Sequence, residues 1–303
     1  MAVTEGSEAF DSDIVQEVRS FFYGCNRALG YRLFWRHLPE MSEAMDGEIL
    51  AGVKVWFDSF SSHFMDSDEE VKRHVHMKME HTRRTCDEIL YLAERLNLNE
   101  ERTRLAEAIA LLHDVGRFPQ FAGYRTFNDA RSVDHGSLGV EVLGTEQILT
   151  MFGPCERNVI ETAVRFHGHK SIPDGLEDEA LFFLKLIRDA DKLDILNLSI
   201  SYYRDARTRG VAVLGFPDVP QISRDVLEAV LERRLIEYDH LQSLNDFRLC
   251  QIGWVYDINF TPSLEKLVEG GILDELFGFL PGTSEVEEVR RVIRRYVASR
   301  LNG

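Results

Sequence analysis

The chain has 303 residues, enough for a substantial core, and its 44% hydrophobic and 28% charged content fits a folded globular protein rather than a disordered one. Its 35 basic and 51 acidic side chains leave a formal charge of −16, which argues against duplex nucleic acid and anionic lipid as partners of the whole chain. The opening stretch MAVTEGSEAFDSD lacks the apolar segment of a secretory signal, and no apolar run approaches the roughly 18 residues of a membrane span. Cys25, Cys86, Cys155 and Cys250 form no CxxC pair, so the expectation is a cytosolic protein with buried free thiols.

Helical periodicity predicts helices at about 12–38, 43–64, 68–97, 100–114, 135–152, 155–167, 178–200, 223–245, 261–278 and 284–300. Asn97 and Asn99 are candidate N-caps ahead of EERTRLAEAIALL, and Gly168 with the IPDG turn closes the helix that carries His167. Strand-like alternation is confined to two short stretches, 210–216 and 253–260. The chain reads as all-α: an N-terminal helical segment (1–67), a central core (68–200) and a C-terminal helical segment (201–303) packed on that core.

Several helices place an ionisable residue on an apolar stripe. His113 shares its face with Ala106, Ile109 and Ala110, and His167 with Ile160, Ala163 and Val164. Asp191 and Asp194 continue the stripe of Leu184 and Ile187, His135 opens the face of Leu138, Gly139 and Val142, and His81 stacks with Thr85, Ile89 and Leu92. A lone buried His or Asp is ordinarily a satisfied core residue. Five helices that all point such groups inward would carry a prohibitive desolvation cost, and one or two divalent cations remove it for all of them.

The ordered set His81, His113-Asp114 and Asp191 in RDADKLD resembles the H…HD…D pattern of the HD superfamily of metal-dependent phosphohydrolases, over roughly residues 70–200. The resemblance implies an all-α fold in which these four residues hold one divalent ion. His135 in VDHGSLG and His167 in RFHGHK look like the extra histidines of the binuclear members, including the HD-GYP phosphodiesterases, where Asp114 would bridge two ions. Two departures stand out. The GYP element is missing, so cyclic dinucleotides are not implied, and Gly168 stands where HD-GYP members carry a second His, so one ion or two are implied.

Such ions would neutralise a phosphoester's oxygens and supply hydroxide near neutral pH, with Asp114 central to the chemistry. Histidine-rich ligation favours Mn, Fe, Co, Ni or Zn over Mg. Asp194 suits a carboxylate that orients a ligand histidine. Arg117, three residues past Asp114, takes the place of an HD-GYP lysine and is the first candidate for a catalytic contact to substrate phosphate; Arg125, Arg131, His169 and Lys170 are further candidates, with Asn128 in the same loop. The expected substrate is a small phosphorylated molecule, a nucleotide among the options. The alternatives are a di-iron oxygenase, since some binuclear HD proteins use the same ligands for oxygen chemistry, and a regulatory module without turnover.

Overall fold

The computed structural model describes residues 45–209 and 216–302, and among them every regular element is helical, as the periodicity predicts. The helix expected at 12–38 and nearly all of the 210–216 stretch lie outside the described residues. The central helices are α1 (Gly47–His63), α2 (Glu69–Arg95), α3 (Glu100–Leu112), α4 (Arg117–Tyr124), α5 (His135–Thr145), α6 (Pro154–Phe166) and the long α7 (Asp178–Arg209). α2 lies along both α3 and α7, α6 along α7, and α5 against α6. Ile89 and Leu92 of α2, Ile109 and Leu112 of α3, Ile160 and Val164 of α6, and Leu184 and Ile187 of α7 are fully buried in the resulting core. Each such side chain contributes about 1.5–3 kcal/mol by leaving water.

Local chemistry sets the helix ends. Asp68 caps α2 by accepting from the N–H groups of Glu70 and Val71, and Asn99 caps α3 by accepting from that of Arg102. Asn97 turns instead through the left-handed region at φ 54°. α4 escapes the sequence reading because Gly116 and Pro119 look like breakers. Pro119 is the third residue of α4, where a missing N–H costs nothing because the first turn has no internal acceptor.

Other differences have equally local causes. The helix predicted at 135–152 stops at Thr145, and a short 3-10 turn, Ile148–Met151, follows Gln147 at φ 58°. The helix predicted at 223–245 is two, α8 (Arg224–Leu231) and α9 (Leu244–Gly253), because Arg233 turns at φ 61° and Ser243 starts a new helix with Asp246 in a capping box. The one predicted at 261–278 breaks at Gly271 (φ 66°) into α10 (Thr261–Glu269) and α11 (Ile272–Gly278), and α12 covers Ser284–Leu301. Residues 254–257 form a 3-10 turn, not a strand.

The C-terminal helices matter because they grip one turn of α7. Asp189 accepts from the Asn259 N–H (2.9 Å), the Phe260 N–H (2.9 Å) and Ser263 Oγ (2.7 Å). Asp257 lies 2.6 Å from Arg188 Nη2 and 2.7 Å from Lys192 Nζ. This turn also presents Asp191 on another face, so the C-terminal segment helps to place it.

Candidate metal centre

The six residues singled out by the sequence converge. The carboxylate of Asp114, only 4% exposed, lies at the middle with its two oxygens facing different histidine pairs. Oδ2 lies 3.5 Å from His81 Nε2 and 3.6 Å from His113 Nε2. Oδ1 lies 3.4 Å from His167 Nε2 and 3.7 Å from His135 Nε2. Asp191 joins the first pair, with Oδ1 3.1 Å from His81 Nε2 and 4.0 Å from His113 Nε2. The sets His81, His113, Asp191 and His113, Asp114, His167 each bring their ligand atoms within 4.8 Å of one another, close enough to hold a metal ion.

The other ring nitrogens explain why Nε2 is the atom turned inward. His81 Nδ1 meets Asp194 Oδ2 at 2.6 Å, and His135 Nδ1 meets Asp129 Oδ2 at 2.5 Å. His113 and His167 each cap a helix C-terminus, where carbonyls lack partners, and their Nδ1 atoms meet Ala110 O (2.7 Å) and Val164 O (2.9 Å), three residues back in each case. Each pair therefore has one histidine oriented by a carboxylate and one by a carbonyl. With the hydrogens placed on Nδ1 by these four acceptors, lone pairs face each other across the His81–His113 gap (3.4 Å) and the His135–His167 gap (3.1 Å). A second proton on one ring of a pair or a cation bound between the rings relieves that repulsion, and the donor set fits a divalent transition metal.

Protonation follows the same geometry. Burial pushes the His113 pKa down to about 4. For His81, burial and then the Lys78 ammonium oppose a charge, yet Asp191 and Asp194 outweigh them and hold its pKa above the ordinary value. Burial alone would raise Asp114, but Lys78, His113, His167 and Arg117 hold it well below the carboxylate range.

Neighbouring side chains brace the ligands. Asp194 is gripped by Arg84 through Nε (2.6 Å) and Nη2 (3.1 Å). Arg188, 2% exposed, donates to the His167 carbonyl at 2.9 Å and so ties the end of α6 to α7. Glycines leave room around His135: a Cβ on Gly116 would lie 2.2 Å from the His135 carbonyl, and one on Gly168 would lie 2.7 Å from His135 Cε1. Gly168 therefore has a packing reason here, because a side chain would strike the His135 ring.

The expected phosphate-binding groups are placed differently from one another. Arg117 reaches the centre, with Nε 3.6 Å from Asp114 Oδ1, but its Nη1 is spent at 2.7 Å each on Gln120 Oε1, the Phe127 carbonyl and Asp129 Oδ1. Arg125 pairs with Asp68 at 2.6 Å, beside Glu70 at the start of α2. His169 lies 3.5 Å from Asp134, Lys170 pairs with Glu237, and Arg131 is exposed at the end of a 3-10 turn. Sequence reasoning missed Asp129, which lies on a 3-10 turn (Asp129–Arg131) too short to show periodicity. It also missed Lys78, whose Nζ lies 2.6 Å from Asp114 Oδ2. The one available signal was the helical spacing of Lys78 to His81. Cys86 and Cys250 are buried thiols as expected, whereas Cys155 is exposed.

Comparison with known proteins agrees with this geometry. Residues 79–196 match the family model of the HD domain, a span that contains all six clustered residues. This segment belongs to the HD superfamily, whose members are metal-dependent phosphohydrolases and, in some cases, proteins without enzymatic activity. No curated protein and no solved structure matches the chain. Among the described residues, no helix is long and apolar enough to cross a membrane.

Proposed function

We propose that this chain is a metal-dependent phosphohydrolase that acts on a small phosphorylated molecule and holds two divalent ions about Asp114. The observation that carries the reading is the division of labour at that carboxylate: Oδ2 faces His81 and His113, and Oδ1 faces His135 and His167. His81, His113, Asp114 and Asp191 would hold one ion, and Asp114, His135 and His167 the other. The histidine-rich set favours Mn, Fe, Co, Ni or Zn. When bound, such ions neutralise phosphoryl oxygens and lower the pKa of a coordinated water towards neutrality. The chain's own contribution is rigidity: Asp194, Asp129 and two helix-end carbonyls keep four imidazoles in one tautomer, so no reorganisation is needed when charge develops. Asp191, 17% exposed while His113 is fully buried, marks the side from which substrate would enter.

Elemental analysis of protein purified without added ions, followed by a screen of phosphorylated metabolites for phosphate release, tests the proposal. Bound transition metal and hydrolysis lost on chelation are expected. Metal-free protein at full stability would remove the reading. Oxygen consumption by iron-loaded protein without phosphate release would replace it with the oxygenase alternative, and metal without any turnover with the regulatory one.

A further inference from the structure

We propose that Lys78, rather than Arg117, is the cation that receives the anionic group of the substrate at this centre. The inference rests on the metal reading above and adds to it the residue that would meet the substrate. Lys78 stands on α2 three residues before His81, so the two side chains share a helix face one turn apart. Its ammonium lies 2.6 Å from Asp114 Oδ2, the oxygen turned toward His81 and His113. The Lys78 side chain is 16% exposed against 4% for Asp114, so the lysine reaches solvent more than the carboxylate it pairs with. The ring of Phe127 flanks it, with Nζ 5.4 Å from the ring centroid.

The charge balance then changes with the ion. Without metal, Lys78 and Asp114 make a compensated buried pair. A divalent ion on Oδ2 would take up the carboxylate's charge and repel an ammonium only a few ångströms away. Lys78 then needs another anion, and phosphoryl oxygens at the mouth of the site would supply it through charge-assisted hydrogen bonds. A flexible lysine stem suits such an exchange better than a planar fork. Arg117 is held by Gln120, the Phe127 carbonyl and Asp129, which makes it a strut behind His135.

The test uses metal-loaded protein and inorganic phosphate, with three readouts: ion content, melting temperature and phosphate affinity by calorimetry. Lys78→Met, which keeps the length of the stem and loses the charge, should retain ions and fold while binding phosphate about ten- to a hundredfold more weakly, the loss expected for a hydrogen bond to a charged group. Lys78→Arg should recover most of the affinity. Wild-type phosphate affinity in Lys78→Met would overturn the assignment while leaving the metal reading in place. Loss of metal from Lys78→Met would also overturn it, because Lys78 would then serve only to support Asp114. A wild-type protein that takes up no ion would bring down the metal reading itself, and this inference with it.

Discussion

Around Oδ2 of Asp114 stand His81, His113 and Asp191, borne by α2, α3 and α7, whereas around Oδ1 stand His135 and His167, borne by α5 and α6. In the first group Asp194, 3% exposed and clamped by Arg84, orients the carboxylate-linked histidine. In the second group that task falls to Asp129, on a short 3-10 turn pinned by Arg117 and Gln120. One more protein ligand and a stiffer support should make the first ion the tighter of the two. The second position should respond first to any weakening.

The largest effect should come from the residue both halves share. Asp114→Ala should strip both ions and, with free metal about a thousandfold above each dissociation constant, forfeit about 4 kcal/mol of stability for each ion lost. Elemental analysis and thermal melts with and without chelator would show it; retained metal and an unchanged melt would dismantle the shared-carboxylate picture. His135→Ala or His167→Ala should cut the stoichiometry from two ions to one, whereas His81→Ala should damage the tighter position. Calorimetric titration separates these outcomes, and a single ion in wild-type protein even under excess metal would leave His135 and His167 as structural or substrate-facing groups.

Smaller changes sharpen the contrast. Asp194→Asn should weaken the first ion and Asp129→Asn the second, each by about 10–100-fold, as for other groups that orient metal-bound histidines. Equal losses at both positions in either variant would show that the halves are not independent. Gly168→Ala should have the mildest effect: its methyl group would press on His135 at 2.7 Å and loosen the second ion by about tenfold, with the first unchanged. A titration identical to wild type would mean that the ring has room to move.

Much of the centre is legible along the chain because a helix repeats its facing every three to four residues, so ionisable groups on apolar stripes reveal themselves. His113 and His167 follow the same pattern, and Asp194 is found by its spacing from Asp191. Where the chain leaves the helix, that signal ends. Asp129 reaches His135 from a single 3-10 turn, and nothing in FNDARSVDH distinguishes it from its neighbours. Lys78 reads as one more solvated charge on a polar helix until α3 delivers Asp114 beside it. Arg125 and Lys170, expected to face substrate, lie beside acidic groups from other parts of the chain, Asp68 and Glu237.

By itself, then, the order of residues determined the helical class of the fold and, through helical phase, brought His81, His113, His135, His167 and Asp191 into view, while Asp114 came with the resemblance to the H…HD…D pattern; amphipathic phase is a property of local sequence. Tertiary packing decided that one oxygen of Asp114 faces each histidine pair, which groups hold the other ring nitrogens, and that the Lys78 ammonium lies beside Asp114. Those outcomes depend on distances of a few ångströms between segments far apart in the chain. Electrostatic and hydrogen-bond energies change steeply over such distances, and no local pattern encodes them.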